Sequence, residues 1–161
     1  MLIRPATAAD TRLLEALAHS IWNKVYTGIV PQDQIDYMLE IMYNPAQIES
    51  ETKAGIEWEI IEMDGATVGF LSTIIEKGTT LKLSKLYLEP TYHGKGYGQI
   101  ILKHIDEKAR KAGVASIYLF VNRSNEKALK SYLRAGYEIV QTLDQEFGSF
   151  VLNDYKLTKA V

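Results

Sequence analysis

The sequence predicts one α/β domain: a mixed sheet of about seven strands with helices packed against it. Three observations carry that expectation. Segments of two-residue and helical periodicity follow one another in the order β-α-α-β-β-β-α-β-α-β-β. The 161 residues suit a single hydrophobic core. No repeat, linker or low-complexity stretch interrupts the chain, so one domain over residues 1–161 is expected.

The elements read in order as follows. Leu2 to Arg4 is a short apolar strand. Thr7 and Asp10 form a capping box, and the helix they open carries Leu13, Leu14, Leu17 and Ile21 on one face. Pro31 suits the first turn of a second helix, with Ile35, Met38, Leu39 and Met42 inward and Asn44-Pro45 as its stop. Trp58 to Met63 and Thr67 to Ile75 alternate as strands joined by Asp64-Gly65, a strong hairpin signal. Lys77-Gly78 marks the next turn, and Leu81 to Leu88 is a further strand. Its apolar residues fall at 81 and 83, then at 86 and 88. A β-bulge near Ser84-Lys85 would shift the phase this way.

Gly96 to Ala112 reads as a helix with Ile101, Ile105, Ala109 and Ala112 on one stripe and Gly113 as its stop. Ala115 to Val121 is rich in β-formers. Ser124 can cap a helix whose face is Ala128, Leu129, Tyr132 and Leu133 and which ends at Gly136. Tyr137 to Leu143 and Phe147 to Leu157 supply the last two strands.

Composition narrows the chemistry. The chain has no cysteine, which excludes disulfides, thiolate metal sites and a cysteine nucleophile, and suits a cytoplasmic setting. The first residues lack the apolar core of a signal peptide, and no apolar run is long enough to span a bilayer. His19, His93 and His104 are scattered, so no metal is expected. The net charge of −2 hides an asymmetry. Residues 31–62 hold eight acids against Lys53 alone, and residues 91–134 hold nine Lys or Arg against three acids. A basic half suits a phosphorylated ligand and an acidic half a cation, although solvated surfaces have the same composition.

The most informative stretch runs from Leu88 through His93, Gly94, Lys95, Gly96 and Tyr97 to Gly98, between a strand and a helix. Three glycines in five residues let backbone N–H groups approach a ligand, and the helix start adds unpaired donors and the positive end of its dipole. Lys95 adds charge. Together these make an anion site. It is not a P-loop, since Gly94-Lys95 is followed by Gly96, and Gln99 stands where the dinucleotide fingerprint needs glycine. A tight turn with no ligand is the competing reading.

The run from Leu86 to Gly98 resembles the coenzyme A signature of the GNAT superfamily of N-acetyltransferases, with His93, Gly96 and Gly98 at its marked positions. His93 departs from the usual Gln or Arg. Asn125 to Tyr137 resembles a second family motif, Asn-x-x-Ala-x-x-x-Tyr-x-x-x-Gly-Phe, with Tyr137 in place of Phe. The likeness covers essentially the whole chain, strongest from Leu81 to Gly136 and weak before Glu57.

The resemblance implies a GNAT-type fold and acetyl-CoA as cosubstrate, without metal. It implies that Leu86 and Leu88 flank the pantetheine, that Gly94, Lys95, Gly96, Tyr97 and Gly98 meet the pyrophosphate together with His93, and that Asn125 approaches the pantetheine arm. Coenzyme A would lie in a gap between splayed strands. The Leu88 N–H would stabilise the oxyanion and the Tyr132 hydroxyl would protonate the departing thiolate. A capping Asn and a core Tyr are the competing readings of the last two. Without cysteine, direct transfer to a primary amine is expected.

The base that removes the amine proton stays open. Where some relatives carry a base glutamate this chain has Lys82, and Glu89, Asp36, Tyr26 and Tyr155 are candidates. The acidic N-terminal half and the closing Phe147–Tyr155 segment, similar to one in small bacterial acetyltransferases, favour a small cationic, polyamine-like acceptor. The alternatives are an acyl-CoA-binding sensor or partner module on the same fold and a protein or peptide N-acetyltransferase. No nucleic-acid or membrane partner is expected; a homodimer is compatible with the sequence.

Overall fold

The computed structural model describes residues Met1–Val161. Its strands are β1 (Leu2–Pro5), β2 (Glu57–Met63), β3 (Ala66–Glu76), β4 (Thr80–Leu88), β5 (Ser116–Asn122), β6 (Glu138–Phe147) and β7 (Phe150–Ala160). Its helices are α1 (Thr11–Val25), α2 (Gln32–Met42), α3 (Pro45–Lys53), α4 (Tyr97–Lys111) and α5 (Glu126–Arg134). The sheet order is β1-β2-β3-β4-β5-β7-β6, with β4 and β5 parallel and the β1–β2, β2–β3, β5–β7 and β6–β7 pairs antiparallel. The expected mixed seven-stranded sheet is present. No helix is long and apolar enough to cross a membrane.

The chain divides into two compact units, Met1–Ile74 with Lys85–His93, and Ile75–Ser84 with Gly94–Val161. In the first, the Asp10 carboxylate accepts from the Thr7 N–H and hydroxyl, closing the turn that leads into α1. Arg4 binds the same carboxylate and Glu62, which holds the Asp10 carboxyl well below its usual range and ties β1 to β2. Leu14, Leu17 and Ile21 of α1, Ile35 and Leu39 of α2, and Ile60, Phe70 and Leu71 of the strands form the core. Each such side chain contributes roughly 1.5–3 kcal/mol by leaving water.

Three expectations need correction here. Asn44-Pro45 stops α2 but also starts α3: the Asn44 side chain accepts from Gln47 N–H, and Pro45 occupies the first turn, where a missing N–H costs nothing. Pro31 precedes the first turn of α2 rather than lying within it. Along β4, burial alternates without a break through Leu81, Leu83 and Lys85, and slips only at Leu86–Tyr87 before Leu88. The phase change read at Ser84-Lys85 therefore reflects a buried lysine.

The second unit packs Ile101, Ile105 and Ala109 of α4 with Leu81, Leu83, Ile117, Leu119 and Leu157. Asp106, rather than Ala112, completes the buried stripe of α4. Asn125, not Ser124, caps α5, and Leu133 stays exposed while Tyr132 is buried.

Candidate functional site

In the first unit the end of β4 is fixed by backbone contacts. A Cβ on Gly69 would collide with the Tyr87 carbonyl oxygen and crowd Leu88, so only glycine lets β3 pass this closely. The Glu89 N–H donates to the Val68 carbonyl at 2.8 Å. His93 reaches back, its Nε2 bonding to the Leu88 carbonyl oxygen at 2.7 Å. Leu88 and His93, both singled out in the sequence, are thus joined. One ring nitrogen of His93 closes the turn and is not directed at an anion. Leu86 is half-buried.

The second unit takes over at Gly94. Gly94 and Gly96 have φ of 73° and 85°, the left-handed region that other residues avoid, and a Cβ at either would meet no atom within 4 Å. Gly96 opens α4 with no side-chain cap, at the end of a helix where backbone N–H groups lie beyond the helical ladder. Lys95 is exposed beside them. Gln99 donates to the Ser131 carbonyl and hydroxyl at 2.9 and 3.1 Å, fastening the start of α4 to α5 next to Tyr132. Open space and left-handed glycines beside a helix start suit an anionic ligand.

Asn125 and Tyr132 lie at opposite ends of α5. The Asn125 side-chain oxygen accepts from Ala128 N–H at 3.3 Å, so its amide NH₂ is the part left for a ligand. Tyr132 is 9% exposed and meets the Tyr137 ring edge-on at 5.8 Å. Tyr137 stands over a part-buried ion pair, Lys159 to Asp106 at 2.6 Å, with the Lys159 ammonium 5.6 Å from its ring centre. Burial, helped by Asp106 and Tyr132, pushes the Tyr137 phenol above its ordinary pKa.

The base candidates separate clearly. Glu89 is bound by Lys24 at 2.8 and 3.0 Å and by Ser20 at 3.1 Å, which leaves it poorly placed to collect a proton. Asp36 is exposed and accepts from Gln32. The Tyr26 hydroxyl lies 3.4 Å from that of Tyr87. Tyr155 is half-buried opposite Val121. Lys82 projects over the Tyr118 and Phe120 rings at 5.9 and 5.7 Å. Two features escaped the sequence reading. Asp154 is half-buried, and burial raises its carboxyl against the opposing effect of Arg123, which suits a proton acceptor. Lys85, 6% exposed, binds Glu51 at 2.6 Å and stacks 4.7 Å from the Trp58 ring centre. The broken alternation of β4 was its only sequence signal.

The sequence and the fold have counterparts among known proteins. Residues 16–137 match the acetyltransferase (GNAT) family model. An uncharacterized N-acetyltransferase of Mycobacterium bovis is 32% identical over 96 residues, covering 60% of this chain and 62% of that one. This chain thus spans about three fifths of the length of that relative. A spermidine N(1)-acetyltransferase of Thermoplasma acidophilum is 24% identical over 150 residues, covering 90% of this chain and 92% of that one. Among solved structures, the PaiA N-acetyltransferase of Thermoplasma acidophilum in complex with coenzyme A superposes with a TM-score of 0.82 at 22% identity, covering 99% and 98% of the two chains. At that identity the likeness shows the fold.

Proposed function

The chain belongs to the acetyltransferase (GNAT) family, and from that premise we propose that it moves an acetyl group from acetyl-CoA to a primary amine by direct transfer. The observation that carries this reading is the start of α4, where two left-handed glycines and an uncapped helix end offer N–H donors beside open space. Residues 1–161 act as one catalytic domain in this account, and the absence of cysteine suits a cytoplasmic setting.

The residues take the following parts. Gly94, Lys95, Gly96, Tyr97 and Gly98 hold the pyrophosphate. His93 supports them by closing the turn onto the Leu88 carbonyl. Leu86 and Leu88 line the pantetheine, and the Asn125 amide NH₂ donates to it. The amine nitrogen attacks the thioester carbon, and the Leu88 N–H donates to the oxyanion. The surplus proton that the nitrogen sheds passes through water, restoring the Tyr132 phenol after it has protonated the thiolate. As the C–S bond breaks, the sulfur leaves with its electron pair and takes a proton from the Tyr132 hydroxyl.

A small cationic, polyamine-like acceptor is supported by exposed Asp33, Asp36 and Glu40 on α2 and by the likeness to a spermidine N(1)-acetyltransferase. A second reading, an acyl-CoA-binding module without catalysis, draws on the structural work that Asn125 and Tyr132 already do as cap and core. Tyr132→Phe separates the two. It keeps the ring against Tyr137 and removes the hydroxyl. A general acid is worth about 10²–10⁴-fold, and a thiolate is a good leaving group, so kcat should fall about 100-fold. Acetyl-CoA affinity should change by no more than about 1 kcal/mol. Unchanged kcat in a folded variant would remove Tyr132 from the reaction.

A further inference from the structure

The first unit carries a set of polar atoms that its packing does not explain. Trp22, Tyr26, Tyr43, Phe70 and Tyr87 form one aromatic cluster, with ring centres 4.6 Å apart for Trp22–Tyr26, 5.5 Å for Trp22–Tyr43 and 5.6 Å for Trp22–Tyr87. Two phenols, Tyr26 and Tyr87, are half-buried with their oxygens 3.4 Å apart. Behind them the Tyr43 hydroxyl and the Trp22 indole N–H are fully buried and make no hydrogen bond. Trp22 and Tyr87 lie close enough to Tyr43 to act on its phenol, yet neither meets it in bonding geometry. Leaving a buried donor without a partner costs about 1–3 kcal/mol. The two buried groups lie beside each other and beside the Tyr87 phenol, so they back the Tyr26–Tyr87 pair with polar atoms rather than meet a ligand themselves.

The charge around this cluster is already consumed. Glu89 is held by Lys24 and Ser20, and Glu51 by Lys85. Burial pushes the Tyr43 and Tyr87 phenols well above their ordinary value, so both stay neutral around neutral pH. What the Tyr26–Tyr87 pair offers is an aromatic-walled surface whose hydroxyl oxygens both accept and donate hydrogen bonds. It is attached to β4 at the residue before Leu88, in a segment held in place by Gly69, Val68 and His93.

We propose that the Tyr26–Tyr87 phenol pair receives the amino group of the acceptor and, having no free carboxylate, favours the neutral amine that can attack. This deepens the acetyl-transfer reading and rests on it. A carboxylate in the same place would hold the group as an ammonium, which has no lone pair to give. Two phenol oxygens can accept the N–H bonds of a free amine and leave its lone pair to form the new N–C bond. The Trp22 indole N–H and Tyr43 hydroxyl complete the polar lining behind the pair. Exposed acids on α2 would then attract the distal charges of a polyamine, and the phenols would take the nitrogen that reacts.

The test uses Tyr26→Phe and Tyr87→Phe in the full chain, each keeping its ring. Spermidine, 1,3-diaminopropane and n-propylamine are the acceptors, and acetyl-CoA binding and melting temperature are measured on the same preparations. KM for the amine should rise at least 10-fold in each variant, with acetyl-CoA affinity and melting temperature near wild type. Because n-propylamine has no second charge, its KM should rise by a similar factor. Unchanged amine KM in folded, acetyl-CoA-binding variants overturns the assignment. So does a rise confined to the two polyamines, which would mean that the pair reads the distal charge. If wild-type protein acetylates none of the three while binding acetyl-CoA, the acetyl-transfer reading fails first and the assignment falls with it.

Discussion

A methyl group added at Gly69 would run into the Tyr87 carbonyl oxygen, whereas one added at Gly96 would meet nothing within 4 Å. At Gly69 the backbone is ordinary strand and the obstacle is another strand. At Gly96 the space is open and the obstacle is the backbone itself, at a φ of 85°. The first glycine exists for the fold's own closure. The second opens a surface that the fold does not fill, which is what a ligand site needs. The difference teaches how to divide glycine-rich stretches: crowding around the missing Cβ marks structure, and emptiness combined with a left-handed backbone marks a place kept for something else.

Gly96→Glu breaks the comparison most severely. It puts bulk and negative charge where the pyrophosphate is expected and strains one residue by about 1–2 kcal/mol. The rise in melting temperature that acetyl-CoA gives a binding protein should vanish, while the free variant loses only a few degrees. Retained binding would mean that the anion site lies elsewhere. Gly69→Ala should do the reverse. Overpacking typically costs about 1–3 kcal/mol, and backbone is a poor yielder, so the loss belongs at the upper end. In the folded fraction acetyl-CoA should still bind. An Ala variant as stable as wild type would show that β3 and β4 pass less closely than described.

A smaller effect checks that the first unit's stability can be altered away from both glycines. Asp10→Asn removes the carboxylate that Arg4 and Thr7 hold. Because the folded pKa of Asp10 is depressed, its contribution is present above the unfolded value of about 3.9 and is lost as pH falls below it toward the folded value. The variant should be less stable by about 0.2–1 kcal/mol at pH 7, with the difference closing below about pH 4. A difference that stays constant down to pH 3 contradicts the ion pair.

Local signals made most of the architecture legible. Alternation located the strands, Asp64-Gly65 announced its hairpin with two positive-φ residues, and the glycines before Tyr97 marked the start of α4. α3 was missed because Asn-Pro was read only as a stop, although the same pair supplies a cap and a first turn. Long-range pairing was beyond the sequence. Lys85 looks exposed until Glu51 and Trp58 close on it, and Glu89 looks like a free base until Lys24, 65 residues away, binds it. The Asn125 and Tyr132 positions could be marked from the motif, and the sequence also offered cap and core as their competing parts, which is the structural work they do here.

The most direct test of the central claim is release of coenzyme A thiol from acetyl-CoA by wild-type protein over a panel of amines, with an amine-free control. The account predicts release that depends on a primary amine, is fastest with a polyamine such as spermidine, and yields one acetylated amine per thiol. Thiol release at the amine-free rate for every member of the panel, in protein that still binds acetyl-CoA, would contradict it and leave a binding module in its place.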